Sequence, residues 1–505
     1  MEDRPVRVRV SRRSLLSSAT TVLGLASGAA LLAACGASAP AAAPTTTTAP
    51  APSTVSVTSA VASASSTAAT TASQAAAATS TSSVAAATSA AATSSAGAKP
   101  GQKITLEHLD WWQPNTPVLK TYFDGIKREF EAKHPEVTIS YTFLGALTGQ
   151  SSVEEKWITN TAGGTPHDTS QVSVAFIYDL MGQRLMEPLD PYLATTSDMA
   201  LSNFVDTGLF YNTYQGKHYG IPYDGPATNV IAYNTDHFTE VGLDPSRSFT
   251  WKWTYSQFLD AAQKLVKTQG GKVVRGGFQP TGYSSIDSFL PWLYADGGQF
   301  FDQNYQHVLL DDQHGQGALQ FTLDLKNQYH LAAEAKDAAL ENEGYSMVMS
   351  GSWTAGYILD KNPKLHWAYA PVPQGPLGPH PASQTWTNQW VMNGQSRQKE
   401  TAWAWLSFVN AEDTLERYFA GVMKRAAGRK AFYQSAAWKG VLAQYPQLTG
   451  LETVADLSGQ YPWVKFADFS AKSKPIWSGL VAGTTGASTA LTQLQQIGDQ
   501  VLASG

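Results

Sequence analysis

Residues 104–143, ITLEHLDWWQPNTPVLKTYFDGIKREFEAKHPEVTISYTF, carry the decisive pattern. Ile104 and Leu106 alternate with polar positions, and Leu109-Asp110-Trp111-Trp112-Gln113-Pro114 ends that run in a loop. Leu119, Tyr122, Phe123, Ile126 and Phe130 then recur at steps of three and four, predicting an amphipathic helix stopped at Pro135. Val137, Ile139, Tyr141 and Phe143 alternate again. Strand, helix and strand at this spacing imply a right-handed crossover and a parallel sheet, hence an α/β fold. Similar alternation continues to a helix around Trp403 and Leu406, with no repeat of fixed period.

Composition bounds what surrounds this pattern. The chain has 505 residues, 43% of them hydrophobic, enough for large cores. A net charge of −5 argues against a nucleic-acid binder steered by charge. The only cysteine is Cys35, which excludes an intrachain disulfide and every Cys-cluster metal site.

The N-terminus reads as an export signal. Five Arg precede an apolar run from Ala19 to Ala34, and Ser11-Arg12-Arg13-Ser14-Leu15-Leu16 resembles the bacterial twin-arginine motif. Leu32-Ala33-Ala34-Cys35 resembles a lipobox, so residues 1–35 are expected to be a lipoprotein signal with Cys35 carrying the lipid. Residues 36–100 are Ala, Ser, Thr, Pro and Val apart from Gly36, Gln74, Gly97 and Lys99, the one charge, with no aromatic ring. That composition is expected to stay disordered, a tether between membrane and folded domain.

Catalytic motifs are scarce. The chain lacks GxxxxGK[ST], HExxH and GxSxG, and its ten His include no i,i+4 pair, so neither a metal nor a cofactor is expected. Ser396-Arg397-Gln398-Lys399 matches SxxK and reads as a helix N-cap, while Asp311-Asp312 and Glu154-Glu155 read as solvated surface pairs. What stands out is tryptophan in polar loops: Trp111, Trp112, Trp292, Trp353, Trp386 and Trp390. An indole face beside Asp, Asn or Gln suits the apolar face and hydroxyl rim of a sugar, whereas Trp403 and Trp405 read as packing.

Six blocks in order carry a resemblance: Phe130–Ile139; Gly164-Thr165-Pro166-His167-Asp168 with Leu185–Asp190; Gly216–Pro222 leading to Tyr233–Phe238 and Gly242-Leu243-Asp244-Pro245; Ala295-Asp296-Gly297-Gly298; Met349-Ser350-Gly351-Ser352-Trp353; and the Ala402–Val409 helix. Residues 103–500 thereby resemble the extracellular solute-binding proteins of ATP-driven (ABC-type) importers, in the carbohydrate-binding group related to maltose-binding protein. His167 stands where the family has a second Pro, and Met423-Lys424-Arg425 matches a Pro-x-Arg segment loosely.

The resemblance implies a two-lobed, periplasmic-binding-protein-like fold with a hinged cleft over residues 101–505. Lobe 1 would span about 101–226 and 370–412, and lobe 2 about 227–369 and 413–505. It implies ligand contacts from Trp112, Gln113, Gln171, Ser173, Trp386 and Asn388 in lobe 1, Asp224 near a crossover, and Ser285, Asp287 and Trp353 in lobe 2, with Arg425 in addition. Trp112, Trp353 and Trp386 would stack on sugar rings, and Gln113, Asp224, Asp287 and Asn388 would meet hydroxyls. The expected function is a non-enzymatic, monomeric binding protein, held by lipid at the outer face of the cytoplasmic membrane. It would present a mono- or oligosaccharide to a membrane permease, with no nucleic-acid partner. The alternatives are a secreted carbohydrate-active hydrolase, marked by a carboxylate pair across the cleft, or a binder of a polyol, glycerol phosphate, peptide or iron chelate.

Overall fold

The computed structural model describes residues 103–112, 114–144, 151–246 and 252–504; the signal, Cys35, the tether and Gln113 lie outside them. The opening pattern folds as read. Strand β1 (Ile104–Asp110) pairs in parallel with β2 (Val137–Phe143), in register from Ile104↔Val137 to Asp110↔Phe143. Helix α1 (Pro117–Lys133) joins them, capped by the Thr116 hydroxyl, which accepts the Leu119 N–H at 3.2 Å. Its apolar stripe buries Tyr122, Phe123, Ile126 and Phe130 against the sheet.

Helix α2 (Ser151–Ala162) leads to β3 (Thr169–Val172), which runs directly into α3 (Val174–Gly182). Then come β4 (Gly220–Pro222), β5 (Ala227–Asn234), helix α4 (Ile286–Ala295), β6 (Met347–Gly351) and β7 (Trp367–Ala370). Strands β8 (Gln384–Trp386) and β9 (Gln389–Met392), helix α5 (Lys399–Val409), β10 (Gly459–Gln460) and α6 (Phe466–Ala482) follow. The first sheet has the order β2-β1-β3-β9-β4; the second has β6-β5-β8-β10, with β7 also paired to β5. The chain passes between sheets at residues 223–226 and 387–388, and a third time between β9 and β10, within residues 393–458. Few connecting residues between two sheets are what a hinge requires.

Two expected boundaries shift. Strand β8 belongs to the second sheet, pairing Thr385 with Thr228 and Trp386 with Ala227, so the return to the first sheet comes after Trp386 and not near residue 370. Past residue 412 the chain still packs on the first lobe before β10 joins the second sheet: the Tyr418 hydroxyl donates to Glu129 of α1 at 2.6 Å, and Arg417 pairs with the same carboxylate at 2.7 Å. Both shifts depend on pairings between distant segments, which local periodicity does not encode.

Three other readings are corrected. Trp292 and Trp390 are fully buried, one in α4 and one in β9, rather than in loops. Glu154 is buried, not solvated, and burial pushes its carboxyl well above the usual range. Ser396 is not the cap of α5, whose N-cap is Gln398; its hydroxyl donates to Asp168 at 2.6 Å and accepts the Gln398 N–H at 3.0 Å.

Helix α3 packs against α6 and brings an acid with it. Enclosure, and then the neighbouring Asp468 carboxylate, push Asp179 from its ordinary 3.8 up to about 6, with Lys465 pulling the other way. The native state therefore holds this proton over a window where the unfolded chain has lost it. Stability from Asp179 falls as pH rises from about 4 to 6 and stays low above. Asp179→Asn is expected to raise Tm at pH 7.5 but not at pH 4; an equal shift at both values would reject the assignment.

Candidate functional site

The N-termini of α3 and α4 open onto one cavity of about 500 Å³, within the usual range for small-ligand sites. Ser173 caps α3, its hydroxyl accepting the Ala175 N–H at 3.3 Å. Ser285 caps α4 in a reciprocal arrangement with Ser288, two hydrogen bonds of 3.2 Å each. These hydroxyls fix the helix ends at the cavity wall. Asp287, in the first turn of α4, is accessible from the cavity and receives a hydrogen bond from the Tyr461 hydroxyl. Protein mass beyond it pushes its carboxyl up, and the Tyr461 hydrogen bond pulls it down.

Facing these groups is an aromatic wall. Trp353 is half-buried and meets Trp386 edge-on at 5.2 Å and 63°, and Trp386 lies 5.5 Å from Tyr461. Gly351 makes the Trp353 placement possible, because a Cβ there would come within 2.3 Å of the indole. Between wall and helix ends, the Gln384 amide donates to Asn229 at 2.8 Å and to the Asp287 carbonyl at 3.3 Å. Among the described lining residues none carries a cationic side chain, and Asp287 is the sole carboxyl.

Five expected residues thus meet here: Ser173, Ser285, Asp287, Trp353 and Trp386. Trp386 reaches the cavity from the second sheet, not from lobe 1 as expected. The other described ones lie elsewhere. Gln171 is wholly buried in β3, and Trp112 is half-buried, its backbone N–H donating to Asp110 at 2.7 Å. Asp224, Asn388 and Arg425 form a separate buried cluster at the sheet crossings. There Arg425 pairs with Asp224, whose carboxylate also accepts the Asn388 backbone N–H at 2.9 Å and side-chain amide at 3.2 Å. Both Asp224 oxygens are therefore engaged by protein. Burial pushes that carboxyl up against the pull of Arg425 and Asn388.

Sequence reasoning missed Asn229, Gln279, Met349, Gln384 and Tyr461. Tyr461-Pro462-Trp463 satisfies the same rule, aromatic rings in a polar loop, that found Trp353. Asn229 interrupts the apolar run of β5, a second usable signal. Gln279, Met349 and Gln384 carry none. Among the described residues, no group of three or more His, Cys, Asp or Glu could hold a metal, and no helix is long and apolar enough to cross a membrane.

A family model described as bacterial extracellular solute-binding protein matches residues 113–415. The chain belongs to that family. It is a family of binding proteins, and its members are extracellular. Among relatives of this solute-binding protein, the lactose-binding protein of Rhizobium radiobacter is 24% identical over 382 residues, covering 73% of this chain and 83% of the relative. A substrate-binding protein from Listeria monocytogenes in complex with cycloalternan superposes with a TM-score of 0.66 at 17% identity, covering 79% of this chain and 99% of that one. A maltose-bound protein of T. maritima gives a TM-score of 0.67 at 18% identity over 79% of this chain and 100% of its own. The solute-binding protein shares their two-lobed fold, with the cavity built from the helix ends and strands described above.

Proposed function

We propose that this solute-binding protein captures a neutral carbohydrate and presents it to an ATP-driven membrane importer, acting as a monomer anchored through lipid on Cys35. The observation that carries the reading is the cavity wall of Trp353, Trp386 and Tyr461 facing uncharged polar groups and one carboxyl, with no cation among the described lining residues. Ring faces suit the apolar side of a sugar, and Asp287, Asn229 and Gln384 suit its hydroxyls. Lactose, cycloalternan and maltose, the ligands of the proteins compared above, support the same class. The absence of a cation among the described lining residues disfavours glycerol phosphate and other anions. A single carboxyl among the described lining residues disfavours the hydrolase alternative, which needs a pair. The lobes are proposed to close about residues 223–226 and 387–388 when ligand bridges them.

A thermal-shift screen against a panel of sugars, polyols, peptides and sugar phosphates tests the ligand class. Ligand that binds only the native state raises Tm by mass action, by about 2.7 kcal/mol of stability at a hundredfold excess over Kd. A neutral sugar is expected to give the largest shift; a shift from peptides or phosphates alone would reject the carbohydrate reading. The anchor has its own test. Cys35→Ser is expected to leave unprocessed precursor or to shed protein into the medium. Unchanged membrane fractionation of a correctly processed variant would reject the lipid anchor.

A further inference from the structure

Helix α3 follows β3 of the first sheet, yet its faces are shared between the two lobes. Ile177, Leu180 and Met181 join a core with Val172 and Val391 of the first sheet. Val174 and Ala175 join another, with Phe289 and Leu293 of α4 and Phe466, Phe469 and Trp477 of α6. The helical period carries this second stripe on to Tyr178 and Asp179, one turn further along. The Tyr178 ring meets Trp463, in the segment entering α6, edge-on at 5.5 Å and 82°. Asp179 therefore stands on the stripe where the lobes meet, at the end away from the cavity, and does not line it.

The charges around Asp179 are held by other partners. Asp468, in the first turn of α6, pairs with Lys472 at 3.2 Å on an exposed face. Lys465, at the start of α6, donates its ammonium to the Val501, Leu502 and Ser504 carbonyls. Helix Asp206–Tyr211 and the hairpin around Thr213–His218 also pack on α3. There Asp206 pairs with Lys430 at 2.8 Å, His218 with Asp190 at 2.9 Å, and Lys217 is exposed. Glu154, beside Ser173 at the other end of α3, is enclosed with Val153 and Trp157. Contact with the second lobe withdraws Asp179 from water, and that enclosure, then the Asp468 carboxylate, holds its carboxyl at about 6 against an ordinary 3.8. Lobes that separate open the stripe to water and let the acid ionise. The joined arrangement therefore gains as pH falls through about 6, and the gain levels off below about 4, where the exposed acid is protonated as well.

We propose that the α3–α6 contact is a proton-operated latch: Asp179 takes a proton from solvent as the lobes join, and its ionisation beside Asp468 releases them, so that acid favours the closed, ligand-holding form. This rests on the hinged reading of the lobes. The test measures the distance between spin labels on Lys120→Cys and Gln320→Cys, exposed positions in the first and second lobes, in the full chain carrying Cys35→Ser. Without ligand, the ratio of short to long distances is expected to rise by about tenfold from pH 7.5 to pH 5.0. Asp179→Asn, which mimics the protonated acid, should give the short distance at both pH values. Asp468→Asn should move the midpoint to lower pH and keep the response. Equal distance distributions at the two pH values in the unmodified latch, or an Asp179→Asn variant that still responds to acid, would overturn it. If a solute that raises Tm shortens the distance while acid does not, the latch fails and the hinge stands. A distance unmoved by acid and by every such solute would overturn both.

Discussion

Trp353→Ala is expected to weaken carbohydrate binding by about 1–3 kcal/mol, the worth of an aromatic platform's buried area. That corresponds to about tenfold to more than a hundredfold in Kd. The indole is half-buried and stands over the cavity, edge-on to Trp386, with Gly351 beneath it. Ligand-free stability should change by less than about 1.5 kcal/mol, in keeping with a side chain that is not enclosed. If the ring served the core instead, the loss would be about 3–5 kcal/mol of stability, with affinity following only indirectly. Urea denaturation and calorimetric titration on one mutant separate the two. Large destabilisation with near-normal affinity would remove Trp353 from the site. Gly351→Ala offers an independent route to the same result, because the added methyl displaces the ring without removing it.

Asp224→Asn should act in the opposite sense, on stability first. Arg425 and Asp224 are both buried, and the Arg425 guanidinium also lies 5.3 Å over the Tyr223 ring. Removing one partner leaves the other charge uncompensated in a site closed to water, at a cost of about 3–5 kcal/mol. Replacing both with apolar residues of similar volume should recover most of that, since the pair's attraction only roughly offsets its desolvation. The cluster also ties residue 224, in one sheet crossing, to Asn388 in another, so it holds these two crossing segments together. The denaturant midpoint of the single and double variants checks this. Unchanged stability with a large loss of sugar affinity would return Asp224 to the ligand-contacting role that the family resemblance implies.

The contrast between these two residues shows how far a linear reading reaches. Trp353 could be found because the signal is local: a large ring between small residues, behind an apolar strand. The β1–α1–β2 opening was legible for the same reason, since helix and strand periods are properties of neighbouring positions. The order of family blocks then supplied the two-lobed fold. Asp224 was found too, but its pairing with Arg425, 201 residues away, was not legible.

Tyr461, absent from the expected site, approaches Asp287 across 174 residues, and β8 changes sheet through its pairing with β5. Glu154 reads as a surface acid and is buried. Thus the sequence alone determined the elements, their α/β order and the aromatic character of the site. Which side chains share a cavity, which acids lose water, and where the chain crosses between sheets were decided only by tertiary structure. Those outcomes depend on pairing and desolvation between distant segments, energies that no window of neighbouring residues contains.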